Sequence, residues 1–490
     1  MAKAIMIQGT MSNVGKSLIT AGLGRVLMQD GWKVAPFKSQ NMALNSWITD
    51  EGLEMGRAQV VQAQACGIKP SVLMNPILLK PTTDRNSQVI VNGEVRGVMT
   101  ATEYFVSKPT LLPEALAAYE KLSAQYDVIV VEGAGSPAEI NLRDRDIVNM
   151  GIAKHIRAPV LLVGDIDRGG VFAQLCGTLM LLEDDEKALI KALVINKFRG
   201  DIDILKPGLT MLEEKAGKPV AGTIPFLDVD IEEEDNFAGR AAASAARQGA
   251  DLDIAVIRLP RISNFTDLYA LEATNGIAVR YVGRTRELGR PDAIILPGTK
   301  NTIADLLWIR ENGLEAAVLQ QATKGTMIFG ICGGYQMLGK KVTDSEGVEI
   351  SGGASVAGMG LLPVETTFHP EKHRKQVNGR TNAFGGCAVE GYEIHMGQTK
   401  QTDESAHIDA RDHIVQNGAV YGTYLHGVFD NAQCREAFCA ELCARKSIPP
   451  LAEHHSNLAH YKETQYNKLA SAIRTNLDMN LVRKILEEGI

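Results

Sequence analysis

Three groups of residues in this 490-residue chain could do chemistry: a cysteine between glycines, a distant histidine, and a glycine-rich loop ending in lysine and serine. In Met327-Ile-Phe-Gly-Ile-Cys332-Gly-Gly-Tyr-Gln336 an apolar run leads to Cys332, and Tyr335-Gln-Met-Leu338 starts a helix. A strand turning sharply into a helix lifts the side chain at the turn above the sheet, and glycines on both sides let the backbone take strained geometry. The helix N-terminus supplies free N–H groups and a positive dipole end, which favour thiolate. His426, delivered by the strand in Val420-Tyr-Gly-Thr-Tyr-Leu-His426, is the candidate base; an imidazole activates the thiol and later protonates a leaving amine. The alternative is an inert buried cysteine, and the glycines and the histidine weigh against it.

The other chemistry is phosphate binding. Gly9-Thr10-Met-Ser-Asn13-Val-Gly15-Lys16-Ser17 follows a short apolar strand and opens a helix. It has five residues between its first glycine and Gly-Lys-Ser, one more than the standard phosphate loop. Backbone N–H groups and the helix N-terminus cradle phosphates, Lys16 contacts the β/γ-phosphates, and the Ser17 hydroxyl binds Mg²⁺. ATP and Mg²⁺ are thus the expected cofactors. Ligands of α/β sheets gather beyond the carboxyl ends of strands. Lys38, after the strand Lys33-Val-Ala-Pro-Phe37, is therefore a candidate second phosphate contact, with a solvated surface lysine as the alternative. Glu132 ends the strand Tyr126-Asp-Val-Ile-Val-Val-Glu132 at the height of the loop and is a candidate direct or second-sphere Mg²⁺ group. Asp165, Asp167 and Arg168 could serve metal, phosphate or substrate, and the sequence does not choose.

Holding these groups takes two α/β domains. The order strand, loop, helix repeats over residues 1–227, which predicts a mostly parallel, doubly wound sheet. Residues 228–250, with Glu232-Glu-Glu-Asp235, read as an exposed linker, part helical. Residues 251–490 form the second doubly wound domain, with strands at 253–259, 279–282 and Ala293–Leu296 before the cysteine strand. A helix is expected over 51–67, a hairpin at Asn92-Gly93, an amphipathic helix over Ala432–Lys446, and tail helices from Tyr461 packing on the second domain. Pro370 argues against a helical metal site at His369 and His373, so a surface loop is expected there. His454 and His455 read as solvated, and Cys439 and Cys443 as packing residues.

Composition narrows the class. A net charge of -7 argues against nucleic acid or an anionic membrane as main partner. No apolar run approaches the roughly 20 residues of a membrane span. Met-Ala-Lys followed by a strand is not a signal peptide. Seven cysteines without a paired framework suit a reducing cytoplasm.

Gly330-Ile-Cys332-Gly-Gly334-Tyr-Gln336 resembles the class I glutamine amidotransferase signature, and Leu296-Pro-Gly298-Thr-Lys-Asn301 looks like that family's oxyanion-strand loop. The resemblance implies that Cys332 attacks the glutamine amide to form a thioester. Backbone N–H groups around Gly298 and Gly333 would hold the oxyanion, with Gln336 in the glutamine pocket. Most members carry Glu two residues after the histidine, where this chain has Val428. That departure favours the subgroup acting on cobyrinic-type substrates and leaves open which group orients His426. The loop at 9–17 resembles the dethiobiotin synthetase variant, and Leu193-Val-Ile-Asn196-Lys197 resembles a base-reading segment, which implies Asn196 near adenine. With 38–46, 131–141 and 165–170, these segments resemble the cobyric acid synthase family over essentially the whole chain; Gly391-Tyr-Glu-Ile-His395-Met-Gly-Gln398 resembles a segment typical of the cobyrinic/cobyric group.

A carboxylate accepts an amine only after its oxygen becomes a good leaving group, and a glutaminase supplies unprotonated ammonia inside the protein. The two halves together therefore imply an amide-forming ligase. The family resemblance implies ATP- and glutamine-dependent amidation of the b, d, e and g carboxylates of adenosylcobyrinic acid a,c-diamide, giving adenosylcobyric acid in cobalamin biosynthesis. The alternatives are cobyrinic acid a,c-diamide synthase, a cell-wall precursor amidotransferase, and a partition-type ATPase switch whose cysteine domain only binds a partner.

Overall fold

The computed structural model describes residues 2–82, 85–232, 249–350, 352–402, 409, 411–451 and 458–489. The chain divides into two units. The first comprises Met1–Ala43, Leu53–Asp235 and Tyr461–Ile490, and the second Leu44–Gly52 and Asn236–His460.

The first unit is built on six parallel strands in the order Val220–Pro225, Ile190–Phe198, Val160–Asp165, Lys3–Gly9, Val128–Glu132, Val34–Phe37. Near-continuous apolar runs such as Val128–Val131 suit strands covered on both faces. Because Lys3–Gly9 and Val34–Phe37 both flank Val128–Glu132, their carboxyl ends bring Gly9, Glu132 and Lys38 to one edge of the sheet. A side sheet holds the expected hairpin, Asn86–Val91 and Glu94–Thr100, with Asn92 (φ 50°) and Gly93 (φ 83°) in the left-handed conformations of a two-residue turn. The helix expected over 51–67 is shorter, Arg57–Ala65, because Glu54–Gly56 pairs as a strand.

The tail from Tyr461 belongs to the first unit, not to the second as expected. Helices Leu458–Asn476 and Met479–Glu488 close the core of the first: Leu469, Ile473, Val482 and Ile485 share one apolar cluster with Ile5, Ile7 and Leu23. Gly22 permits this, since a Cβ there would sit 2.6 Å from Ile473 Cγ1. Periodicity reveals that a helix has an apolar face, but not which core covers it.

The expected exposed linker is corrected at its start. Glu232 is buried and held between Arg57 (2.6 Å) and Lys462 (2.5 Å). Residues 233–248 lie outside the described residues. Burial works against the Glu232 carboxylate, but the two cations outweigh it and lower its pKa from 4.5 to about 2. A carboxylate whose pKa falls on folding stabilises above its unfolded value and loses that contribution as pH drops through the folded one. The first unit is expected to lose stability between pH 4.5 and about 2 from this group. Glu232→Gln, which strands two cations, is expected to cost ~3 kcal/mol at neutral pH by urea unfolding and to flatten that acid slope.

In the second unit five parallel strands, Ile277–Val282, Leu252–Ile257, Ala293–Leu296, Met327–Ile331 and Val420–Thr423, are joined by antiparallel Val415–Asn417. A mixed sheet beside them contains Val364–Thr381, Cys387–Gln401 and Leu425–His426. His369 and His373 lie on the first of these strands rather than in a loop. The ladder breaks between Phe368 and His373, where Pro370 has no N–H to donate. Helix Ala432–Lys446 turns Cys434, Phe438, Cys439 and Cys443 into the core, the packing role expected for Cys439 and Cys443. His454 and His455 fall outside the described residues. No helix among the described residues is long and apolar enough to cross a membrane.

Candidate active site

Strand Met327–Ile331 ends at Cys332, and helix Gly333–Leu338 begins at the next residue. The strain of the turn falls on the cysteine itself, at φ 51° and ψ -107°. The neighbouring glycines were expected to absorb it, yet neither Gly330 nor Gly333 nor Gly334 has positive φ. They are needed for clearance instead. A Cβ on Gly334 would lie 2.0 Å from Leu296 O, and one on Gly333 2.6 Å from Thr299 Cγ2. Strain at a non-glycine residue persists where surrounding structure fixes it, and it concentrates at functional sites.

His426 is 1% exposed and lies close enough to Cys332 for the sulfur to raise its pKa, while the Cys332 Sγ–H itself donates to Ile394 O at 3.7 Å. Its Nδ1 lies 2.7 Å from Asp267 Oδ2, and the other oxygen of Asp267 accepts Gly427 N–H at 2.9 Å. The group that orients the histidine is thus Asp267, on the short turn Phe265–Leu268, while Val428 is buried in the core. Burial alone would lower the histidine's pKa, but the Asp267 carboxylate and the Cys332 sulfur lift it to about 10. The sequence reading missed Asp267. The available signal was an acidic residue in the loop after Leu252–Ile257, at the carboxyl end of a strand, where ligand-binding groups collect.

Gly298 approaches the same centre: a Cβ there would lie 3.2 Å from the His426 ring. Gln336 is buried, accepting from Thr302 Oγ1 at 2.8 Å and bonding Tyr424 through its amide at 3.2 Å. A cavity of about 690 Å³ opens in this unit, lined among others by Tyr335, Lys375, Glu393, His395, Gly397 and Tyr424. His373 and His395 both face Glu393 Oε2, at 3.1 and 3.9 Å, a grouping compact enough for a metal. The Lys375 ammonium, 3.3 Å from the same oxygen, already supplies a cation there.

In the first unit the helix Lys16–Gln29 is entered through Gly15 at φ 96°, and Asn13 is also left-handed at 61°. Asn196 donates to Val14 O at 2.7 Å, packed so closely that a Cβ on Gly15 would strike its amide. Thr10 anchors the loop to the neighbouring strand through its N–H and Val163 O, 2.9 Å. Lys16 Nζ donates to Met11 O and Gly135 O, at 3.0 and 3.1 Å. Glu132, 1% exposed, gathers the rest: Ser17 Oγ at 2.7 Å, Lys38 Nζ at 2.8 Å and Gln62 Nε2 at 2.5 Å. Lys38 is therefore a buried member of the site and not a surface lysine. Desolvation would raise the Glu132 pKa, but Lys38 and the two neutral donors hold it below the usual value. Asp165 pairs with Lys197 at 2.9 Å and Asp167 with Arg199 at 3.0 Å, which leaves Arg168 the one of that trio without a described role.

The two halves of this geometry match two domain families. Residues 5–237 match the CobQ/CobB/MinD/ParA nucleotide binding domain, and residues 253–434 the CobB/CobQ-like glutamine amidotransferase domain. Over its full length the chain is 55% identical to the whole of a cobyric acid synthase from Lachnoclostridium phytofermentans. The chain belongs to the cobyric acid synthase family. It is also 53% identical, over all of its length and 98% of the relative's, to a cobyric acid synthase of Ruminiclostridium cellulolyticum, and 51% identical to one of Alkaliphilus metalliredigens over 98% and 99%. Membership of the cobyric acid synthase family makes the chain a glutamine-dependent amidoligase with a nucleotide-binding half, on two α/β domains.

Proposed function

We propose that the chain performs the cobyric acid synthase reaction, amidating the b, d, e and g carboxylates of adenosylcobyrinic acid a,c-diamide. The observation that carries the reading is the strained Cys332 beside a buried His426 that is bonded to Asp267, in one chain with a Lys16–Ser17–Glu132 loop site. Cys332 sulfur adds to the glutamine carboxamide carbon. The oxyanion is met by N–H groups around Gly298 and Gly333, and the C–N bond breaks as His426 gives its proton to leaving ammonia. Water, deprotonated by His426, then opens the thioester to glutamate. The 690 Å³ cavity is lined by Glu393 and Lys375, charges that would meet the ammonium and carboxylate of an amino acid, and Cys332 does not line it.

In the first unit ATP supplies the γ-phosphoryl group that converts a corrinoid carboxylate into an acyl phosphate; ammonia adds to the acyl carbon and phosphate leaves. Lys16 and Lys38 would draw off negative charge, and Asn196, tied to the loop through Val14 O, would stand near the base, as the family resemblance implies. Ser17 and Glu132 form the hard-oxygen pair that suits Mg²⁺. With three donors already on it, the Glu132 carboxylate would meet the ion through water.

Corrinoid incubated with ATP, Mg²⁺ and glutamine should show four successive mass losses of about one unit, as each OH becomes NH₂ and one C–N bond forms per step. Two losses starting from the fully acidic substrate would instead identify the a,c-diamide reaction. Asp267→Asn is expected to cut glutamine hydrolysis about 10³-fold with ammonia-driven amidation retained. Its histidine should also titrate well below about 10, which NMR of the imidazole would read.

A further inference from the structure

The second unit contains nine residues that are remote from it in sequence. Leu44–Gly52 follows the Lys38 loop, and the chain on either side of it belongs to the first unit. Asn45 and Ser46 are almost wholly buried. Asn45 Oδ1 accepts Phe265 N–H at 3.2 Å, and Ser46 N–H donates to Asn264 Oδ1 at 3.0 Å. Ser46 O accepts the Tyr392 hydroxyl at 2.8 Å, and the Trp47 ring packs on Tyr392 with centroids 4.6 Å apart. Ile48 joins Tyr392 and Ile394 in one apolar cluster, and Gln376 donates to its carbonyl.

Two of these contacts lead to His426. Asn264, left-handed at φ 51°, and Phe265 open the turn that carries Asp267. Tyr392 lies directly across the ladder from His426 and stacks its ring on the imidazole at 5.4 Å and 26°. The histidine is therefore held at its Nδ1 edge and on its face, and both supports end on the same nine residues.

We propose that Leu44–Gly52 is a positioning strap for His426, with Asn45, Ser46 and Tyr392 as its positioning residues. The inference rests on the Cys332–His426 glutaminase reading. A displacement of about 1 Å at a reacting group can cost about 10²-fold in rate, so losing one tether of this kind should cost about tenfold. A looser Asp267 turn also holds the imidazolium less firmly, so the group titrates at lower pH.

The test uses full-length Asn45→Ala and Tyr392→Phe, the latter keeping the ring while removing the bond to Ser46. Glutamine hydrolysis and ammonia-driven amidation are measured side by side, with Cys332→Ala as reference. Asn45→Ala should lower kcat for glutamine about tenfold with KM within about twofold. The alkaline limb of its kcat/KM profile should move to lower pH, and ammonia-driven amidation should stay within about twofold. Tyr392→Phe should show the same pattern at smaller amplitude. Unchanged kcat and pH limb in both variants would overturn the strap while leaving the glutaminase reading intact. So would a parallel fall of both activities, which marks general unfolding. Glutamine hydrolysis surviving in Cys332→Ala would instead remove the glutaminase reading itself.

Discussion

Cys332→Ala is expected to abolish glutamine-dependent amidation, by about 10⁵-fold or more, and to leave amidation driven by added ammonium salt. In the proposed reaction the sulfur is the atom that bonds to the amide carbon, and no neighbouring side chain can replace it: His426 is committed to Asp267, and Gln336 to Thr302 and Tyr424. The substitution itself is mild. Alanine has the same Cβ at a backbone already at φ 51°, so the strain is unchanged and only a small side chain in a 7% exposed position is shortened. The residues proposed to activate the carboxylate, Lys16, Ser17, Lys38 and Glu132, are all in the other unit. Ammonia attacks only when unprotonated, so the rescued rate should climb with pH through the titration of ammonium. Glutamate release and corrinoid mass, followed in parallel at two pH values, check both parts of the expectation.

Lys16→Ala gives the complementary result. Amidation should fall about 10³-fold with either nitrogen source, while glutamine hydrolysis in the second unit persists. Lys16 is buried and donates to the Met11 and Gly135 carbonyls beside the loop proposed to hold phosphate. Without it the charge developing on the transferred phosphoryl group has lost its nearest movable cation. The two carbonyls lose a donor as well, worth ~1 kcal/mol each, so a thermal melt of the variant should accompany the assay. ADP formation in the presence of corrinoid acid reads the chemistry, and glutamate formation confirms that the protein is folded.

The parts of the site that were legible in the sequence are those made by neighbours in the chain. Gly15-Lys16-Ser17 after a strand and Cys332 among glycines each specify a local turn, and the turn fixes where the side chain points. Parallel-sheet order then brings Lys38 and Glu132 to the same edge, as expected from strand ends alone. What escaped was made by long-range packing. Asp267 reaches His426 from 159 positions away, and its place after a strand end was the only hint Asn264-Phe-Thr-Asp267 gave. Glu232 sits among acidic residues that look like a solvated run, and only the fold brings Arg57 and Lys462 to it. The tail helices have a strong apolar face, but two sheets were available to receive it. Val428 pointed correctly to a missing carboxylate without revealing where its substitute came from.

The inclusion of Leu44–Gly52 in the second unit bears on how such an enzyme can be taken apart. Cutting the gene near codon 236 would produce a rear polypeptide lacking nine residues of its own interior. That fragment should express poorly or hydrolyse glutamine sluggishly, and a synthetic peptide spanning 44–52 should restore part of its rate. Chimaeras exchanging the rear half between relatives would need to carry this short insert along, so recombination at the obvious boundary is a poor route to new pairings of acceptor and nitrogen donor.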